Sequence, residues 1–204
     1  MGSLYWLQLG CYYEAVKQKL MQLLSQRQKH RIVDISRMSA AVLLPLYCKQ
    51  GEYHLLFTKR TQKVKAHKGQ ISFPGGAQEV DELPVDAALR ECTEEIGLMA
   101  GEVEILGELD DTISLTSNYI ISPFVGLSPW PYQFRVNEEE IEELIEVPIS
   151  TLLNSSHQYH ETEVIDGEAV TSYSYHYQGR VIWGATARIL KHFLDIFAQV
   201  NGFR

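Results

Sequence analysis

Cysteine is scarce in this 204-residue chain. Cys11, Cys48 and Cys92 are odd in number and show no C-x-x-C spacing, which excludes a disulfide framework and a thiolate zinc site. Positive charge is also short: 18 Lys and Arg stand against 26 Asp and Glu, for a formal net charge of −8. A nucleic-acid partner needs cations clustered over a broad surface, so that class is disfavoured. A small phosphorylated ligand is not, because it needs only a local cation or a metal. No run approaches the roughly 18 uninterrupted apolar residues of a membrane span. The start, MGSLYWLQLGCYYEAVKQKL, lacks the charged opening of a signal peptide. Internal repeats and low-complexity linkers are missing too. A protein of the reducing cytoplasm, with no membrane and no nucleic-acid partner, is expected.

The hydrophobic content, 45%, suffices for one sizeable core and not comfortably for two. Apolar residues at helical spacing (Val16, Leu20, Leu23, Leu24) predict a helix over about 12–29. The run SAAVLLPLYC, 39–48, predicts a buried strand, with Pro45 marking a bulge or an unpaired edge. A turn at 49–51 and a second strand over 53–60 complete a hairpin. The stretch from Thr61 to Gly76 reads as a loop. Pro84 at the first position and Gly97 at the end bracket a helix whose stripe is Val85, Leu89, Cys92 and Ile96. Two more strands follow in EVEILGELDD and YIISPFVGL, then an acidic run over 138–146 that reads as a solvated helix or strand end. TSYSYHY alternates as a half-exposed strand does, and ATARILKHFLDIFAQV closes the chain as an amphipathic helix. The expected class is α+β, one mixed domain with helices against a largely antiparallel or mixed sheet. Residues 1–30 are expected to form a helical extension and 31–204 the domain proper.

The 84–96 helix carries too much acid for a solvated face. Glu91 and Glu95 are i, i+4 neighbours and Glu91 and Glu94 are i, i+3, so like charges share one arc at about 0.2–0.5 kcal/mol per pair. Converging carboxylates suit a hard divalent cation that also meets substrate phosphates. Arg90 points elsewhere on the helix, and its planar guanidinium suits a clamp on a carboxylate such as Glu82. The pattern is G-x5-E-x7-R-E-U-x-E-E-x-G-U, where U is apolar. Gly76, Glu82, Arg90, Glu91, Glu94, Glu95 and Gly97 fill its fixed positions, with Cys92 and Leu98 at the apolar ones. Seven identities match by chance roughly once in 10⁸ start positions.

This pattern resembles the Nudix box of the Nudix hydrolases. The resemblance implies an α/β/α sandwich with a mixed sheet and hydrolysis of a nucleoside diphosphate linked to another group. By position it implies Mg²⁺ or Mn²⁺ on Glu91, Glu94 and Glu95, with a backbone carbonyl from Gly75 or Gly76, and Arg90 and Glu82 as organisers. The base that takes the water's proton stays open between Glu91 and a distal acid. The segment LLFTKRTQKVKAHKGQISFPGG (55–76) resembles the signature that precedes the box in coenzyme A diphosphatases. Thr58, Arg60, Gly69, Phe73, Pro74, Gly75 and Gly76 match, whereas Phe57, Thr61 and Lys65 depart. Lys65 keeps the charge and loses the bidentate fork.

Arg60, Lys63, Lys65, His67 and Lys68 concentrate positive charge in an acidic chain, which suits a nucleotide with an extra phosphate. The resemblance therefore implies a coenzyme A-type substrate, bound by Arg60, Lys65, His67, Gly69, Phe73, Pro74 and Gly75, with 3′,5′-ADP and a 4′-phosphopantetheine as products. ADP-ribose or another nucleoside diphosphate derivative is the alternative, and a catalytically silent nucleotide sensor is a third. GELDDTISLTSNYIISPFVG and VIWGATARIL also look like the corresponding subfamily segments, and N-x-x-E-I followed by V-P points to Glu140 as a distal metal carboxylate, beside Glu139 and Glu142. His157, His160 and His176 lack ligand spacing and read as surface histidines. Oligomeric state is left open, a homodimer included.

Overall fold

The computed structural model describes residues 2–63, 68–165 and 168–201, with side chains described from Tyr13 on, outside 163–170 and 201. The chain begins with helix α1 (Gly2–Gln26), then strands β1 (Met38–Lys49), β2 (Glu52–Arg60), β3 (Ile71–Ser72) and β4 (Gly75–Ala77). Helix α2 (Pro84–Ile96) is followed by β5 (Glu104–Glu108), β6 (Thr112–Ile113), β7 (Tyr119–Leu127) and β8 (Ile141–Pro148). A short helix α3 (Ile149–Leu153), strands β9 (Gln158–Ile165), β10 (Glu168–Tyr177) and β11 (Arg180–Trp183), and helix α4 (Gly184–Asn201) complete it.

The main sheet has the order β3-β2-β1-β7-β5, with β4 added to β1, β6 to β7 and β8 to β2. It is mixed because β1 runs parallel to β7, while its other pairings are antiparallel. The expected hairpin is present: Lys49 pairs with Glu52 across the two-residue turn Gln50–Gly51. The α+β class and the helix-flanked mixed sheet are therefore those expected.

β1 lies at the centre of the sheet, so Pro45 is not on an outer strand, yet it sits in a locally unpaired stretch of the kind expected. The geometry shows why it is tolerated. Leu43 donates its N–H to the Pro74 carbonyl, on the side where β4 lies, and backbone direction alternates along a strand. Pro45 nitrogen therefore faces that same side. There the β4 register ends at Val42 and the β2 register begins only at Leu46, so no ladder bond is missing.

Two other expectations need correction. The stretch from Thr61 to Gly76 is not all loop: it contains β3 and the start of β4, too short to leave a periodic signal. Most of the acidic run is strand. Ile141, Ile145 and Val147 of β8 turn into the core while Glu142 reaches Lys59 and Glu143 reaches Arg180.

Alternation along β1 divides the core. Ala41, Leu43 and Tyr47 face α2 with Ala87, Ala88, Cys92 and Ile96. Leu44 and Leu46 face the other way, with Val16, Leu20 and Leu24 of α1 and Ile189, Leu190 and Phe193 of α4. Since Leu20 is wholly buried, Leu20→Ala is expected to destabilise the protein by about 2–5 kcal/mol in urea denaturation followed by circular dichroism. A second sheet, β11-β10-β9, carries the chain from α3 to α4.

Candidate active site

Helix α2 ends at Gly97, whose φ of 70° is the left-handed cap that a side chain would strain. That fixes how its glutamates meet the β4 backbone. Glu95 is buried, with 3% exposure, and points into the sheet. Its Oε2 accepts the Gly75 N–H at 3.2 Å, and its Oε1 lies 3.2 Å from Arg60 Nη1. Arg60 reaches on to Glu140 at 3.3 Å through Nη2. Glu91 lies against Gly76, where a Cβ would fall 2.4–2.6 Å from its carboxylate. Glu94 is turned out to solvent.

Arg90 ties the outer half of the site together. Its Nε and Nη2 grip both oxygens of Glu82 at 2.9 and 3.1 Å, and Nη2 also donates to the Ala77 carbonyl at 3.0 Å. Nη1 reaches Glu91 at 2.8 Å and Glu94 at 3.3 Å. The clamp on Glu82 and a bond from the Glu79 N–H hold the Glu82 carboxyl below the usual range.

The three box glutamates share an arc on the helix but not a direction. Glu95 goes to Arg60, Glu91 to Gly76 and Arg90, and Glu94 to solvent. Among the described residues no three acidic, His or Cys side chains stand at metal-ligand spacing. The donor chemistry nonetheless fits a divalent cation. Five carboxylates (Glu82, Glu91, Glu94, Glu95, Glu140) meet two guanidiniums, Arg60 and Arg90. Burial pushes the Glu95 carboxyl up to about 7 despite Arg60 and the Gly75 N–H, with Glu91 and Glu140 adding repulsion. Burial also raises Glu91, with Arg90 opposing and Glu94 and Glu140 adding to it. Such carboxylates are short of positive charge.

A cavity of about 870 Å³ opens beside them. Arg60, Ile71, Phe73, Gly75 and Gly76 wall one side, and Ser114, Ser117, Tyr119, Trp183 and Thr186 wall another. The second wall comes from the two segments, 107–126 and 181–190, that look like the subfamily's, although no residue of it was singled out in the sequence. Phe73 is a core side chain as much as a lining one, stacked on Phe57 at 4.6 Å. Pro74 contributes its carbonyl to Leu43, and Gly69 donates to the Arg60 carbonyl at 3.1 Å. Lys65 and His67 lie outside the described residues. His157 bonds the His176 carbonyl at 2.9 Å, away from the glutamates in a surface hairpin.

A family model described as the NUDIX domain matches residues 37–180. The chain belongs to the Nudix family. It is 37% identical, over 155 residues covering 75% of this chain and 76% of the relative, to an uncharacterized Nudix hydrolase NudL of Yersinia pestis (strain Pestoides F). A MutT/nudix family protein from Enterococcus faecalis shares the fold with a TM-score of 0.55, at 13% identity over 91% of this chain and 74% of that one. The Nudix domain of Shewanella oneidensis NrtR, solved with ADP-ribose, superposes at 0.46 with 15% identity, over 59% of this chain and 78% of that one. As a Nudix hydrolase the protein is a pyrophosphohydrolase of nucleoside diphosphate derivatives, a reaction the family generally performs with a divalent metal ion such as Mg²⁺ or Mn²⁺. No helix among the described residues is long and apolar enough to cross a membrane.

Proposed function

We propose that the protein hydrolyses the diphosphate bond of coenzyme A or acyl-coenzyme A in the cytoplasm, giving 3′,5′-ADP and (acyl-)4′-phosphopantetheine. One observation carries this reading. The segment that resembles the coenzyme A signature is also the segment that walls the cavity, through Arg60, Phe73, Gly75 and Gly76, next to Glu95. Among the described residues Arg60 Nε is buried there without a partner, a donor costing roughly 1–3 kcal/mol until an acceptor such as a phosphate oxygen meets it.

Glu91, Glu94, Glu95 and the Gly76 carbonyl would hold the divalent ion, with Glu140 as the distal carboxylate. The ion supplies charge neutralisation on the diphosphate and a more acidic water. Arg90 and Glu82 are positioning residues, fixing Glu91 against β4. Arg60 holds Glu95 and Glu140 on the cavity side. A water oxygen bonds to one phosphorus, the bridging P–O bond breaks, and the water's proton passes to a carboxylate oxygen of Glu91 or Glu140.

The test is a substrate panel. Incubated with Mg²⁺ or Mn²⁺, the protein is expected to turn over coenzyme A and acetyl-coenzyme A at least about tenfold faster, in kcat/KM, than ADP-ribose, NADH or dNTPs. Faster turnover of ADP-ribose would move the assignment to that substrate class. No turnover of anything, with nucleotide binding kept in Glu95→Gln, would make the protein a sensor.

A further inference from the structure

The cavity does not end at its second wall. Ser114, Thr116, Trp183, Gly184 and Ala185 line it and also line a neighbouring cavity of about 700 Å³. The two are therefore halves of one groove, with Trp183 between them. The neighbour is roofed by the second sheet through Tyr159, Ser172 and Tyr173. A diphosphate with one substituent does not need both volumes, since drug-sized ligands fill roughly 300–1,000 Å³.

The character of the second half differs from the first. The first holds Arg60 and adjoins the glutamates. The second presents apolar surface to solvent: Leu115 is 75% exposed, Tyr159 52% and Trp183 46%. Exposed side chains of that size, gathered around one depression, mark a binding surface. Its charges nearly cancel, being Glu161, His160 and Arg188. Arg188 donates to the Ile113 carbonyl and is partly buried. A doubly charged phosphate would meet Glu161 as well as Arg188, among mostly uncharged side chains. A long uncharged chain with amide groups would find aromatic walls and the hydroxyls of Ser114, Thr116, Ser172 and Ser174.

We propose that this second cavity is the subsite for the uncharged arm of the substrate, and that Trp183 is its specificity-determining residue. This rests on the coenzyme A reading, in which that arm is the amide-thiol chain and its acyl group. The phosphorylated nucleoside stays on the Arg60 side. Trp183 lines both halves, and the assignment requires its removal to weaken binding of the arm more than binding of the nucleoside.

Isothermal titration of the protein with the two products, in Mg²⁺, tests the assignment. Trp183→Ala is expected to weaken 4′-phosphopantetheine roughly tenfold and 3′,5′-ADP less than about twofold, with Trp183→Phe restoring most of the loss. Tyr159→Ala, at an exposed position, should move the same ligand in the same direction. If the loss falls on 3′,5′-ADP, on both products equally, or on neither, the assignment is wrong. Turnover by the wild type separates the two ideas. Selective loss of 4′-phosphopantetheine binding in a protein that ignores coenzyme A would sink the substrate and keep the subsite. Turnover of coenzyme A with unaltered binding in Trp183→Ala would do the reverse.

Discussion

Glu95→Gln is expected to make the metal-free protein more stable and nearly inactive. Glu95 is buried and its carboxyl is raised to about 7 from an ordinary 4.5. A raised acid opposes folding wherever it is ionised in both states. The opposition is complete above about pH 7, falls away as the pH drops towards 4.5, and is absent below that. A shift of this size corresponds to about 3 kcal/mol at pH 8. The amide keeps an acceptor for the Gly75 N–H and removes the charge, so a gain of about 1–3 kcal/mol, or ~2–10 °C in melting temperature, is expected. Wild-type melting without metal should rise on acidification from pH 8 towards pH 5, and the variant's should be flatter. Saturating Mg²⁺ should stabilise the wild type and leave the variant nearly unmoved. Turnover should fall at least about 100-fold. A variant no more stable than wild type at pH 8 would show that Arg60 already compensates the charge.

Gly76→Ala carries the second large effect. The new Cβ would sit 2.4–2.6 Å from the Glu91 carboxylate. Glu91 cannot simply turn away, because Arg90 holds it and is itself held by Glu82 and the Ala77 carbonyl. The displacement therefore spreads through the clamp. Turnover should fall about 10²-fold, as misplacements of about 1 Å in a catalytic site do, with a stability loss of about 1–3 kcal/mol. Gly101→Ala is the control: nothing lies within 4 Å of its Cβ, and both quantities should stay at wild type. Full activity in Gly76→Ala would show that Glu91 has no fixed place in the reaction.

Helix α2 was legible in the sequence because its ends are chemically punctuated by Pro84 and Gly97, and the observed helix is Pro84–Ile96. The suggested clamp of Arg90 on Glu82 is present, but the wheel's separation of Arg90 from the glutamates is not, because its long side chain also reaches Glu91 and Glu94. A helical wheel gives an angle and not a partner, so it could not show Glu95 turning inward to Arg60 while Glu94 turns out. That division depends on contacts between residues 35 apart in the chain. Only the resemblance of N-x-x-E-I singled out Glu140 from Glu139 and Glu142 in the sequence; charge and spacing did not. The β2–β8 register separates them, with an irregularity between Lys59 and Arg60. Glu139 goes to Lys63, Glu142 to Lys59, and Glu140 alone to Arg60. Pro45 marked an unpaired stretch but not its place in the sheet, because its cost depends on the neighbour across the strand, which a single strand's sequence does not contain.

The segment after α1 is tied by charge to the element that leads to the groove. Lys29 lies between Glu108 and Asp111 at 3.0 Å each, Arg27 meets Asp110 at 2.7 Å, and the Ile32 N–H meets Asp111. Asp111 in turn accepts from Ser122 and precedes β6, which leads to the Ser114–Ser117 wall of the groove. The family match starts at residue 37, so this strap lies wholly before it. Any coupling between strap docking and ligand binding would pass through this one element and would be equal in both directions. With a favourable coupling, a saturating ligand should slow amide exchange and proteolysis at residues 27–32, and Lys29→Ala, which leaves the α1 core residues in place, should cost affinity before it costs catalysis.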